Sequence, residues 1–333
     1  MTEAEDRASL VSEQALKSLR DEMALQAHLE RPSWTSVHSH HYFDLAAKVW
    51  RELDVVAIRW WKGRLDGHEV TIKVAIIVES KHLAQKHVLL PAFKPLRQAI
   101  IFDWFGGMAH AEERLQVLLD VGVERRLAQQ LDREISAGAS DVMPDAPNIM
   151  YPPQAGVWHS AGFVEAQHKG KVPEDPLSKS VIWRARLALQ SAARALVQEE
   201  IEQSAREVQM AIRLALVSQL GAQAKGRDFD LKEAFVSYLK KNPFTLTIFH
   251  PIVVVDADLW SVTQEELLPV KHARVHLTGV SRFPYFWFDL VQRDAASGVM
   301  VAAQAEYDRQ AGEKSLEPFS PRMGIADYEI ARP

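Results

Sequence analysis

Three side chains suited to hydrolytic chemistry stand at the ends of two neighbouring apolar runs. In RELDVVAIRWWKGRLDGHEVTIKVAIIVESKH (51–82), Asp54 lies near the start of the first run, and Glu79 and Lys81 close the second. Strand side chains alternate between faces, so Glu79 shares a face with Lys81, and Glu52 shares one with Asp54. If 49–61 and 70–81 pair antiparallel about the polar turn 62–69, the early end of one lies beside the late end of the other. Asp54 then meets Glu79 and Lys81. Two carboxylates with room for water form a hard-oxygen set suited to Mg²⁺ or Mn²⁺. Such an ion acidifies a bound water and neutralises charge developing on phosphorus. A lysine beside it orients or deprotonates that water. The plainer alternative is a cross-strand ion pair, contributing about 0–1 kcal/mol. A bare Glu-x-Lys or Asp-x-Lys has little specificity, and DLK at 230–232, placed before a helix rather than at a strand end, is a decoy.

The surrounding pattern supplies elements to hold that trio. Residues 8–30 read as a helix, with Leu16, Leu19, Met23 and Ala27 at helical spacing and Pro32 as its stop. SVHSHHYF (36–43), VWRELDVVAIRWW (49–61) and VTIKVAIIVES (70–80) read as three strands of a meander. Residues 108–135 have helical periodicity, and 136–156 are rich in proline, glycine and small polar residues, as in a loop. Long and short helices are expected over 179–220 and 230–241. TLTIFHPIVVVDADLW (245–260) has a buried-strand pattern over 245–256, with Asp256 and Asp258 as turn formers. Further strands are expected at 270–280 and 282–293. The predicted organisation is a helix and meander over 1–91, a helical and loop insertion over 92–178, the rest of the core over 179–311, and a surface tail over 312–333.

A helix, a strand ending HHYF-D, then RELDVVA, then an apolar strand ending ESK resembles the PD-(D/E)xK nuclease superfamily, closest to its Mrr-like branch. The resemblance covers about the first 90 residues by motif and the remainder by element order. It implies an α/β fold of restriction-endonuclease type: an α-β-β-β-α-β core with a mixed central sheet, here with helical insertions and extra C-terminal strands. Asp54, Glu79 and Lys81 match the motif's Asp, Glu and Lys. The resemblance further implies metal ligation by Asp54, Glu79 and the Ser80 carbonyl, and an extra carboxylate from the first helix, Glu13 ahead of Glu22. The implied activity is Mg²⁺- or Mn²⁺-dependent hydrolysis of nucleic acid, DNA ahead of RNA, in restriction or defence of a prokaryotic genome. A homodimer is a further expectation, since paired cuts by this fold often use dimers. The alternative is an inactive copy of the fold serving as a binding or scaffold protein.

Composition narrows the classes. With 333 residues, 47% hydrophobic and 25% charged, the chain has the make-up of a globular protein of one large or two ordinary domains. It has no cysteine, so disulfides, thiolate metal sites and cysteine nucleophiles are excluded. The acidic MTEAEDRASL start is unlike a signal peptide, and no apolar run reaches the roughly 20 residues of a membrane helix. A soluble cytoplasmic protein is expected. A net charge of −5 argues against a broad nucleic-acid surface and for a local groove.

Other candidates have bland readings. HSHH (38–41) puts His38 and His40 on one strand face, but no partner at zinc spacing follows. His82 and His87, and Lys169 and Lys171, read as solvated loop residues that could touch phosphate. Arg184, Arg186, Arg194 and Arg206 lie among glutamates on a mixed-charge helix. The aromatics of FPYFWF (283–288) read as core before base-stacking residues.

Overall fold

The computed structural model describes residues 14–44, 47–65, 68–83, 86–92, 98–99, 101–105, 125–126, 129, 150–151, 157–167, 180–193, 195–196, 199, 245–278 and 285–313. Helix α1 (Gln14–Leu29) precedes a meander of β1 (Thr35–Asp44), β2 (Val49–Leu65) and β3 (His68–Lys81). Then come β4 (Lys86–Pro91), β5 (Gln98–Ala99), β6 (Ile101–Phe105), β7 (Met150–Tyr151), β8 (Trp158–Ser160) and β9 (Val164–Gln167). Helix α2 covers 181–193. It is followed by β10 (Thr245–Val255), β11 (Asp258–Val262), β12 (Leu267–Val270), β13 (His272–Thr278), β14 (Tyr285–Gln292) and helix α3 (Arg293–Glu313).

The expected α/β architecture with a mixed central sheet is present. Eight strands form that sheet in the order β1-β2-β3-β10-β14-β13-β8, with β6 also on β10. The meander is antiparallel. Strand β10 is parallel to both β3 and β14. Its run IVVV is buried on both sides, which is why it shows no polar alternation. Because β3, β10 and β14 run together, they end at one edge, where Lys81 pairs with Val255 and Val255 with Gln292.

Alternation along β3 divides the interior in two. Val74, Ile76 and Val78 pack with Ile252 and Val254 under Leu25 and Leu29 of α1 and Ala296, Met300 and Tyr307 of α3. Ala75 and Ile77 face the other way, into a core with Phe249, Val253 and Leu290 and with Ile182, Ala185, Leu189 and Ala192 of α2. A smaller sheet, β12-β11-β4-β9, adds Val88, Leu90 and Leu259 to that second core. The central sheet is thus covered on both faces.

Several boundaries differ from the expectations. The hairpin strands run to Leu65 and resume at His68, so the turn expected over 62–69 is shorter. The run expected over 245–260 breaks at Asp256 and Ala257, and β11 joins the smaller sheet. The segment 92–178, expected as a helical and loop insertion, supplies β6 and β8 to the central sheet and β9 to the smaller one. Its Glu165 also holds the start of α2: Ser180 Oγ–H and the Ile182 N–H donate to Glu165 Oε1 at 2.6 and 2.9 Å. Ser180 Oγ in turn accepts from the Trp183 N–H at 2.9 Å, an N-cap. Helix α3 (Arg293–Glu313) occupies a stretch in which the sequence pattern predicts no helix. The loop expected at 136–156, the helices over 108–135 and 230–241, and most of 194–220 lie outside the described residues. Among the described residues, no helix is long and apolar enough to cross a membrane.

Candidate active site at the shared strand edge

The β2–β3 pairing places Val55 opposite Val78, which brings Asp54 level with Glu79. The three expected residues do converge. Lys81 Nζ contacts Glu79 Oε2 and lies 3.7 Å from Asp54 Oδ2. Asp54 Oδ2 also accepts the Ser80 N–H at 2.6 Å, so its carboxylate bridges to the backbone of the next strand. Exposure is graded across the trio: the Lys81 side chain is 30% exposed, that of Asp54 15% and that of Glu79 3%. Solvent therefore reaches the lysine and one carboxylate, and the second carboxylate lies beneath them.

The burial of Glu79 follows from its register. Its β10 partner is Val253, wholly buried in the α2-side core. A carboxylate in that row loses most of its hydration. Burial accordingly pushes the Glu79 carboxyl up to about 7; Lys81 opposes the rise, and the negative charges of Asp54 and Glu22 add to it. Burial alone would lower Lys81, but Glu79 and Asp54 outweigh it and leave its ammonium held above the ordinary lysine value. Lys81 therefore stays charged at neutral pH, while Glu79 sits where a proton moves readily.

The hairpin beyond the site is fixed by its own turn. Asp44 accepts from Arg51 Nε at 2.6 Å and from the Ala47 N–H at 3.0 Å. Tyr42, opposite Arg51, sends its hydroxyl proton to the Ala188 carbonyl of α2 at 3.1 Å. Burial, and then the Glu79 charge, push the Tyr42 phenol up to about 12. Tyr42 thus belongs to the surroundings of Glu79. Nothing in the sequence tied it to Glu79.

Of the first-helix carboxylates, Glu13 lies outside the described residues, and Glu22 is near enough for its charge to act on Glu79. A residue that sequence reasoning missed is Arg293, the first of α3. Its Nη2 donates to Ser80 Oγ at 3.0 Å and its Nη1 pairs with Asp21 Oδ2 at 2.6 Å. No motif marks it, because α3 itself is inconspicuous in the sequence.

The lesser candidates resolve differently. His38 lies opposite Val55 and His40 opposite Leu53, residues that pack into opposite cores. Ser39 between them has φ 51°, in the left-handed region, and the alternation breaks there, so the two histidines do not share a face. His82 and His87 are bound rather than simply solvated: His82 pairs with Asp256, and His87 Nδ1 lies 3.4 Å from Asp258 Oδ2. Arg186 is buried, with its guanidinium 4.7 Å over the Trp183 ring, and lines no groove. Trp287 and Phe288 are core residues. Lys169, Lys171, Arg194 and Arg206 lie outside the described residues.

As a donor set the site is hard oxygen, from the Asp54 and Glu79 carboxylates. Among the described residues, no three histidine, aspartate or glutamate side chains gather closely enough to hold a metal by themselves. Two carboxylates fit an ion such as Mg²⁺, which keeps several waters and shares its sphere with substrate phosphate. They do not fit an ion that needs a closed protein cage.

Comparison of the chain with models of known protein families, with curated proteins and with solved structures finds no match in any of the three.

Proposed function

We propose that the protein is a metal-dependent nuclease that hydrolyses phosphodiester bonds in nucleic acid, DNA ahead of RNA, with Asp54, Glu79 and Lys81 as its centre. The observation that carries the reading is the convergence of these three side chains: Lys81 Nζ touches Glu79 and lies 3.7 Å from Asp54, with Lys81 still open to solvent. The order of the described elements supports it. Helix, three antiparallel strands and then, after the intervening β4–β9, a helix on the opposite face and a strand parallel to the third are compatible with an elaborated α-β-β-β-α-β core of restriction-endonuclease-like type.

Asp54, Glu79 and the Ser80 carbonyl are the groups that would hold Mg²⁺ or Mn²⁺. Such an ion, when bound, supplies an acidified water and charge neutralisation at phosphorus. The chain's own residues divide the remaining work. Lys81, held protonated by its two carboxylates, donates to the attacking water or to a phosphate oxygen, so it positions and stabilises rather than acting as base. Glu79 can hold a proton near neutrality and release it when positive charge arrives. Ser80 N–H fixes the Asp54 carboxylate. A second copy of the chain would supply the second cut of a duplex, and defence of a prokaryotic genome is the setting the motif suggests.

The test is degradation of linear and circular DNA, and of RNA, by purified protein with Mg²⁺ or Mn²⁺ and with chelator. Cleavage should require the ion and fall by about 100-fold or more in Asp54→Asn and Glu79→Ala. A folded Glu79→Ala protein as active as wild type would rule the chemistry out. The second reading is an inactive fold used as a scaffold. One observation favours it: Lys81 already contacts Glu79, so the trio is partly neutralised within the fold. Under that reading, calorimetry would show no divalent-ion site sensitive to Asp54→Asn.

A further inference from the structure

The polar contacts behind the trio form a continuous chain through four elements, β2, β3, α3 and α1. Lys81 of β3 touches Glu79 and lies near Asp54 of β2, and Asp54 Oδ2 accepts the Ser80 N–H at 2.6 Å. The Ser80 side chain points to the opposite face of β3, where its Oγ accepts from Arg293 Nη2 at 3.0 Å. Arg293 is held in turn by Asp21 of α1 at 2.6 Å through Nη1. Asp21 and Arg293 are each about one-third exposed, at 31%. An exposed pair of that kind contributes little to stability. Its geometric effect is larger, because a planar guanidinium holds two acceptors at fixed angles, as a lysine ammonium does not.

Ser80 is the residue through which this clamp acts. Its N–H meets Asp54, and its hydroxyl is held by Arg293 of α3, which Asp21 of α1 holds in turn. We infer that Arg293 and Asp21 are positioning residues of the Asp54–Glu79 site: they fix Ser80 and so set the direction of the Asp54 carboxylate toward a bound divalent cation. This rests on the nuclease reading for the identity of the ion, and it assigns the start of α3 a role beyond packing. Partners that orient metal-ligating groups commonly affect metal affinity by 10–100-fold when removed. A link one residue further out should lie at the low end.

The experiment titrates Mn²⁺ into the full-length protein by calorimetry, in wild type, Arg293→Ala, Arg293→Lys, Asp21→Asn, Ser80→Ala, Ser80→Thr and the Arg293→Ala/Ser80→Ala double variant. Thermal unfolding of each is recorded alongside. Arg293→Ala and Ser80→Ala should each weaken Mn²⁺ by about 10-fold, and the double variant should be no worse than either single one. Ser80→Thr keeps the hydroxyl and should restore affinity. Arg293→Lys keeps the charge without the fork and should not. Asp21→Asn should give a smaller loss in the same direction and stands in if Arg293→Ala does not fold. In cleavage assays kcat should fall with KM for DNA unchanged.

Affinities within twofold of wild type in the folded Arg293 and Ser80 variants would overturn the inference, with Arg293 then a structural tie only. So would fully additive losses. A rise in KM with unchanged Mn²⁺ affinity would also overturn it and make Arg293 a substrate contact. If wild type itself takes up no Mn²⁺ and cleaves nothing, the nuclease reading has failed instead, a result separate from these.

Discussion

Glu79 and Asp289 lie in the same central sheet and are buried alike, at 2% and 1% exposure, yet their surroundings push them in opposite directions. Asp289 is enclosed by partners. Arg274 Nε and Nη2 donate to its two oxygens at 2.6 and 2.8 Å, and His250 Nε2 lies 2.9 Å from Oδ2. His272 Nε2 is 3.3 Å from Oδ1. Burial works against ionisation of Asp289, but the charges of Arg274 and His272 and the hydrogen bonds outweigh it, and the carboxyl is held well below its ordinary value. Burial lowers His250 in turn and favours the neutral ring, in which Nε2–H given to Asp289 leaves Nδ1 to accept from the Tyr307 hydroxyl 3.0 Å away. The Arg274 guanidinium is stacked 4.1 Å from the Trp287 ring centroid.

Glu79 has one strong partner, the half-open Lys81, and two nearby negative charges. Equal burial therefore yields a structural knot in one place and a carboxyl with a single strong partner in the other. The difference is in the number of fixed donors, not in the depth. A carboxyl whose ionised form is under-stabilised by the fold is what a cation-binding or proton-handling site requires, at the expense of stability.

The largest effect that can break this contrast is on folding itself. Asp289→Ala strips a buried carboxylate from Arg274 and should lower unfolding free energy by about 3–5 kcal/mol in denaturant titration. Glu79→Gln should leave stability unchanged or raise it. Similar losses in both variants would erase the distinction.

The pH dependence sharpens it. The Glu79 carboxyl rises from 4.5 to about 7 in the folded protein. Between those values the folded state binds more protons than the unfolded chain, so stability falls as pH rises, by about 3 kcal/mol in all. Below the lower value the penalty is absent. The difference between wild type and Glu79→Gln in unfolding free energy, followed across that window, should trace this decline, and a flat difference would count against it. Asp289 runs the other way: its contribution is present above the unfolded value of 3.8 and disappears as pH falls further. The smallest effect is Tyr307→Phe, which leaves His250 Nδ1 without its donor and should lower stability by about 1–3 kcal/mol, with the Glu79 pH window unmoved.

Legibility in the sequence followed locality. The meander could be read because β2 and β3 are adjacent apolar runs separated by a glycine-containing turn, and their antiparallel register put Asp54 level with Glu79. The partners of these strands could not be read so well. Helix α3 buries Ala296, Met300, Ala303 and Tyr307 at helical spacing, but two of the four are alanines, which give a faint apolar signal. With α3 unseen, Arg293 had no place near Ser80. Strands β8 and β9 have only three and four residues, too short for period-two alternation to register, and their sheet membership is set by distant partners. Ser39 separated two histidines expected on one face, and its positive φ is unmarked by any glycine. The Asp289 knot unites residues from β10, β13, β14 and α3, a meeting that only the parallel strand order brings about.

The most direct test of the proposed centre is calorimetric titration of Mn²⁺ near pH 7 in two buffers of different ionisation enthalpy, for wild type and Glu79→Gln. A cation taken up by Asp54 and Glu79 should displace the proton that the buried Glu79 carboxyl partly retains near its pKa of about 7. The account predicts one Mn²⁺ per chain in wild type, with a buffer-dependent heat from a released fraction of a proton, and loss of that release in Glu79→Gln. Binding without proton release, an unchanged release in the variant, or no binding at all would contradict it.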